Sequence, residues 1–190
     1  MIFLLLLSVV ALTVIFLRGR ALRYDAVLPA KLQNVINNLR QGQDIRSIQN
    51  VVKKDASPLS SIVEVLLAHR HNARSETLEA VQTKARHEVA KMETGLVILE
   101  IATGVAPLLG LLGTLSGLIG IFSNLSGDGD PTLVARGIAE ALSTTIVGLG
   151  VAAPSLIAYN YFMRKIEVMS IEMESLTADL LEKIYINPKI

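Results

Sequence analysis

The run from Leu96 to Phe122, LVILEIATGVAPLLGLLGTLSGLIGIF, limits the fold more than any other stretch of this 190-residue chain. It carries one carboxylate, Glu100, near its start and is otherwise apolar and dense in glycine. As an α-helix, at ~1.5 Å per residue, it covers the ~30 Å hydrocarbon core of a bilayer with some to spare. A strand would not tolerate so many glycines. Gly110, Gly113, Gly117 and Gly120 recur at alternating steps of three and four, so they form one narrow ridge. A ridge without side chains lets a second helix come close, which is how membrane helices pack when no hydrophobic effect drives them together. At ~100° per residue, Thr103, Pro107, Gly110, Thr114 and Gly117 share a face with Glu100 at its edge, opposite Leu, Ile and Val. The helix therefore has a lipid side and a protein side.

Composition agrees. The chain is 51% hydrophobic and only 18% charged, with mean hydropathy +0.49, whereas a soluble domain carries about a quarter charged residues. A net charge of +1, with no interleaved basic and aromatic patches, gives no reason to expect a nucleic-acid partner. The absence of cysteine excludes disulfides, thiolate zinc sites and cysteine nucleophiles.

Residues 1–17 are apolar apart from Ser8 and Thr13, and Arg18, Arg20 and Arg23 follow at once. A cleaved signal peptide has the reverse order, with charge before the apolar run and a small-residue site after it. The run thus reads as a first transmembrane helix with its N-terminus periplasmic and the arginines at its cytoplasmic end. At ~25 Å it is short, so a tilt, a thinned bilayer or a continuation past Arg18 is expected.

Residues 18–94 have ordinary soluble composition and read as a cytoplasmic helical domain. Leu28, Leu32, Val35, Ile36 and Leu39 recur at helical spacing, with Gly42 placed to cap them, and Ile45, Ile48, Val51 and Val52 make a second short helix. Ser57-Pro58 is a start signal, serine as N-cap and proline at the first helical position. After a break around His71 to Ser75, Leu78, Val81, Ala85, Val89, Met92 and Leu96 climb into the membrane stretch. This predicts one unbroken helix from about Ser75 to Asn124, with the second transmembrane helix over 95–124.

A short periplasmic turn over 125–131, in which Asp130 caps the next helix and Pro131 suits its first turn, forces the third apolar run to return antiparallel. That run is the third transmembrane helix, 132–163, closed by Arg164-Lys165. Residues 164–190 continue as a cytoplasmic amphipathic helix through Ile166, Met169, Met173, Leu176, Leu180 and Ile184, expected to pack on the helix before Leu96. Lys and Arg outside the apolar runs fall on the inner side, Arg136 excepted. The fold class is an all-α integral membrane protein, three transmembrane helices with long helices extending into a cytoplasmic helical domain.

Glu140, in GIAEALSTTIVGLG, is the foremost candidate for chemistry. A carboxylate at membrane depth costs a few kcal/mol, so it should face protein or water and suggests an ion pathway. Thr144, Gly148 and Ser155 fall within ~80° of it on a helical projection, extending a polar stripe. The alternative is a structural cap paired with Arg136, four residues earlier. Thr103, Thr114, Thr144 and Thr145 either bond their own backbone carbonyl at i−4 or, on a glycine-rich face, bind a water chain. Glu100 can snorkel to water from the inner boundary. His69, His71 and His87 read as solvated, and His87-Glu88-Val89-Ala90-Lys91 lacks the second histidine of a zinc-protease motif. No nucleophile elbow, phosphate loop or paired catalytic carboxylates appear, so no catalytic residue, metal site or cofactor is expected.

APLLGLLGTLSGLIGIF (Ala106 to Phe122), followed after a short turn by GIAEALSTTIVGLGVAAPSLIAYNYF (Gly137 to Phe162), resembles the ExbB/TolQ/MotA family of proton-channel subunits, the ExbB/TolQ branch most closely. The resemblance implies a homopentamer in the bacterial inner membrane, with the second and third spans lining a central pore. It implies two single-span ExbD/TolR-like partners inside, each with a membrane aspartate that is protonated and released, and a TonB/TolA-like effector beyond. The family's pore threonines fall on Thr114 and Thr145, next to Thr144, and its glutamate on Glu140. Gly110, Gly113, Gly117, Gly120 and Gly148 are the expected helix-packing positions. Family members commonly carry more sequence ahead of the first span, and Ser116 stands where a larger residue is common. The implied function is a pore-forming subunit of a proton-driven motor, H+ rather than Na+ being the ion. The competing reading is an oligomeric membrane scaffold without ion conduction. This chain has no aspartate at membrane depth, so a partner's aspartate would complete the pathway.

Overall fold

A computed structural model describes residues 2–39, 45–123 and 131–186. The expected roles of Gly42, of Asp130 and of the turn ahead of Pro131 lie outside the described residues. All regular structure among the described residues is helical: α1 (Ile2–Ala21), α2 (Tyr24–Val27), α3 (Ala30–Asn38), α4 (Arg46–Val52), α5 (Pro58–Ala68), α6 (Arg74–Glu93), α7 (Leu96–Ser123) and α8 (Pro131–Ile186). Of these, α1, α7 and α8 are long and apolar enough to cross a membrane. The chain is an all-α membrane protein.

Two compact units divide it. One comprises Met1–Arg18 and Gly95–Phe162, the other Gly19–Thr94 and Met163–Ile190, so α8 contributes to both.

In the first unit α1 packs on the α7–α8 pair. Leu4, Ala106, Val151 and Ala152 form its buried centre, with Leu7, Leu109 and Val147 against them. α7 and α8 run antiparallel and nearly backbone to backbone. A Cβ on Gly110 would lie 3.0 Å from the Thr144 carbonyl, one on Gly117 2.9 Å from the Ala141 Cβ, and one on Gly148 2.6 Å from the Ala106 carbonyl. Without those side chains two helices can approach this closely. α1 runs past Arg18 to Ala21, which lengthens it to about 30 Å.

The unbroken helix expected from about Ser75 to Asn124 is not formed. α6 ends at Glu93 and α7 begins at Leu96, with Gly95 between them at φ +84°. That left-handed conformation is open to glycine at no steric penalty and ends an α-helix. A lone glycine inside a helical pattern is often tolerated, and the pattern alone does not reveal that this one turns the chain. The Arg18 guanidinium sits against it, 3.1 Å from where a Cβ would be. By contrast, the third apolar run and the amphipathic tail form one continuous helix that accommodates Pro154.

The second unit is built as the spacing predicts. Leu28, Leu32, Ile36, Ile48, Leu59, Ile62 and Leu66 are fully buried, as are Ile166 and Met169 of α8. Ser57 caps α5, accepting from the Ser60 N–H at 3.2 Å, and Pro58 opens the helix. The end of α8 is tied to the α5–α6 turn: Tyr185 Oη lies 2.6 Å from Thr77 Oγ1 and donates to the Asn72 carbonyl at 2.9 Å. Tyr24 donates to Glu172 Oε1, and that bond pushes the phenol above its ordinary pKa. On α6, burial pushes the Glu88 carboxyl up, but bonds from Lys84 at 2.8 Å and Lys91 at 3.1 Å outweigh it and hold the group below the usual carboxylate range.

Candidate functional site

Thr114 is buried in the seam between α7 and α8. Its Oγ1 lies 2.6 Å from Thr145 Oγ1 and 3.3 Å from Thr144 Oγ1, with the Ala141 carbonyl at 3.1 Å and the Gly110 carbonyl at 3.2 Å. Thr144 Oγ1 reaches the same two carbonyls, Ala141 at 2.8 Å and Gly110 at 3.0 Å. Two hydroxyls therefore share two carbonyls that belong to different helices, and the third, on Thr145, joins through Thr114; each has one proton to give and two lone pairs. Acceptors outnumber protons, so alternative donor arrangements of the cluster are available by rotating hydroxyls. Such a cluster can hand a proton from one oxygen to the next, and it also fastens α7 to α8.

Close packing is the condition for this. A Cβ on Gly113 would meet Thr144 Oγ1 at 2.8 Å, so the absence of that Cβ leaves the hydroxyl its place. At Gly120 a Cβ would meet nothing within 4 Å, whereas at Gly110, Gly113 and Gly117 it would meet α8.

Glu140 is exposed, and its carboxylate has no partner among the described residues. The structural-cap alternative needs an ion pair with Arg136, and none is present among the described residues; Glu140 contributes its carbonyl alone, to Ser143 Oγ at 2.6 Å. Five residues of helix put Glu140 about 140° from Thr145, so within one chain the structure unites Thr114, Thr144 and Thr145 and leaves Glu140 outside. The other hydroxyls of the stripe turn back on their own helix: Thr103 donates to the Leu99 carbonyl at 2.9 Å and Ser155 to Val151 at 2.8 Å.

The second unit holds a cleft of about 470 Å³ between α6 and α8, floored by Val81, Ala85, Val89, Met173 and Leu181. Its floor is apolar, and Arg86, Glu93 and Glu174 are among the residues that line it. Among the described residues no group of three or more His, Asp or Glu side chains is placed to hold a metal ion.

Fold and site together define a polytopic α-helical membrane protein whose second and third apolar helices share a hydroxyl cluster. A sequence profile of the MotA/TolQ/ExbB proton channel family matches residues 45–175, and the chain belongs to that family. It is similar to a putative biopolymer transport protein ExbB homolog of Methanothermobacter thermautotrophicus, 32% identical over 139 residues, 73% of this chain and 50% of that one. It is also similar to a putative biopolymer transport protein ExbB-like 1 of Synechocystis sp., 34% identical over 166 residues, 82% of this chain and 63% of the relative. With the Tol-Pal system protein TolQ of Haemophilus influenzae it shares 40% identity over 86 residues, 44% of this chain and 38% of that protein. The chain thus spans between a half and two thirds of the length of the first two relatives.

Proposed function

We propose that this chain is the pore-forming subunit of a proton-driven inner-membrane motor. It assembles as a pentamer around a single-span, ExbD/TolR-like partner and couples proton-motive force to work on the envelope or to transport. The observation that carries the reading is the Thr114–Thr145 hydroxyl pair, 2.6 Å apart in the seam of two membrane helices, in a chain of a proton channel family. A path needs sites that both accept and donate, and paired hydroxyls are such sites. The titrating centre comes from the partner's aspartate, because this chain has no aspartate in its apolar stretches, residues 2–21, 96–123 and 131–163. Each proton moved through about 100 mV releases about 2.3 kcal/mol, enough to bias a bistable packing arrangement.

A scaffold without conduction has one observation in its favour: all three threonine hydroxyls find partners inside the chain. One experiment separates the readings. Chain and partner are reconstituted in liposomes, and proton flux is followed by an internal pH dye. Thr145→Val and Glu140→Ala are expected to cut flux sharply while the oligomer persists. Wild-type flux in both would leave the scaffold.

A further inference from the structure

The two flanks of the α7–α8 seam are not alike. One is covered by α1, whose Leu4 is buried with Ala106 of α7 and Val151 and Ala152 of α8, with Leu7, Leu109 and Val147 packed against them. The seam itself is marked on α7 by Ala106, Gly110, Gly113 and Gly117, and on α8 by Ala141, Thr144, Thr145 and Gly148. Projected about each helix axis at about 100° per residue, Leu109 lies about 80° from the seam toward α1, and Val147 and Val151 lean the same way. Thr114 leans about 60° the other way, and so does Thr145 on α8. Their short hydroxyl contact therefore opens on the flank that α1 leaves free. Glu140 falls on the α1 flank.

Glu100 falls on the open one. It is about 100° from the seam on the side of Thr114 and Thr145, is exposed, and has no partner for its carboxylate among the described residues. No ionisable side chain stands on α8 between Thr144 and Ala158, and the Arg18 guanidinium is turned to Gly95, on α1's flank. Between Glu100 and Thr114 the same side of α7 has a polar step, because Pro107 inside the helix has no N–H to give the Thr103 carbonyl. A carboxylate at this depth reaches water by snorkelling if it serves nothing else, but such a group has no reason to stand in line with the hydroxyl pair.

We infer that Glu100 is a proton-carrying group of the same path as Thr114 and Thr145, taking or releasing the proton at the α7 N-terminal end, about 21 Å along the helix from Thr114. The inference rests on the pore reading proposed above. The step is a plain transfer: the carboxylate accepts H+ from water or hydronium in the path and returns it to water at the helix end, with no other bond made or broken.

The test uses the full chain with its partner in liposomes, reading proton flux and, by native mass spectrometry, assembly. Glu100→Gln keeps size and hydrogen bonding but cannot ionise, and is expected to lower flux roughly a hundredfold in an intact oligomer. Glu100→Asp restores most of it, which a packing role for the longer side chain would not predict. Wild-type flux in Glu100→Gln while Thr145→Val is blocked overturns the inference and leaves the pore reading standing. Wild-type flux in Thr145→Val and Glu140→Ala as well removes the pore reading and the inference with it. Loss of assembly in both Glu100→Gln and Glu100→Ala also overturns it, since the carboxylate is then a structural anchor.

Discussion

At Thr114 one side chain does two things that pull in different directions. It must be small enough to sit in a glycine-lined seam, and polar enough to bond two carbonyls and two hydroxyls on the facing helices. The glycines around it differ in what a methyl group would meet. At Gly148 a Cβ would sit 2.6 Å from the Ala106 carbonyl and 3.1 Å from Gly110 Cα, which are backbone atoms that cannot step aside. At Gly113 it would meet a threonine hydroxyl, and at Gly120 nothing. We therefore expect Gly148→Ala to destabilise the detergent-solubilised chain by about 1–3 kcal/mol, the scale of overpacking. Gly113→Ala should fall below that, and Gly120→Ala should be neutral or gain up to about 1 kcal/mol from the better helix former. Thermal denaturation of the variants checks the order, and equal losses at Gly148 and Gly120 would contradict it. At this scale part was legible: spacing shows the glycine ridge and puts Thr114 on its face, whereas it leaves the role of the threonines open and only the family resemblance singles out Thr145. Which flank each polar side chain takes was not, because a single helix projection does not say where α1 packs.

Among the elements, α6 and α7 show how a local rule is overridden. Apolar positions at helical spacing run through Gly95 without a gap, yet the helix ends there, because glycine admits φ +84°; the Arg18 guanidinium lies 3.1 Å from where another residue's Cβ would be. Elsewhere the short-range signals sufficed, as at Ser57-Pro58 and in the buried positions of α3 and α5. On α6 itself, Glu88 is held between Lys84 and Lys91 with its carboxyl below the ordinary range. A group whose pKa is lower folded than unfolded adds stability above its unfolded pKa and loses it as pH falls through the folded one. The unfolded reference is 4.5, so the Glu88 contribution should be whole at neutral pH and fade only below that value. Comparing melting temperatures of the wild type and Glu88→Gln across this range is the measurement: the gap should be widest near pH 7 and close in acid. A gap independent of pH would mean that packing, not charge, holds Glu88.

For the molecule as a whole, hydropathy and charge together predict a direction in the bilayer. Arg18, Arg20 and Arg23 follow the first apolar stretch and Arg164-Lys165 closes the third, whereas residues 124–131 contain no Lys or Arg. In the membrane unit Arg18 rests against Gly95, so the end of α1 that bears arginine and the start of α7 share one level. Since Lys and Arg favour the cytoplasmic side, the prediction is an N-terminus outside and the tail of α8 inside. The chain has no cysteine, so single cysteines can report without a background to remove. Thr132, exposed at the start of α8, and Ser175, exposed in its tail, are suitable positions. In right-side-out vesicles a membrane-impermeant maleimide should label Thr132→Cys at once, and Ser175→Cys only after permeabilisation. The opposite pattern would invert the chain, placing the Glu100 end of the seam outside and reversing the direction of proton entry relative to Glu100.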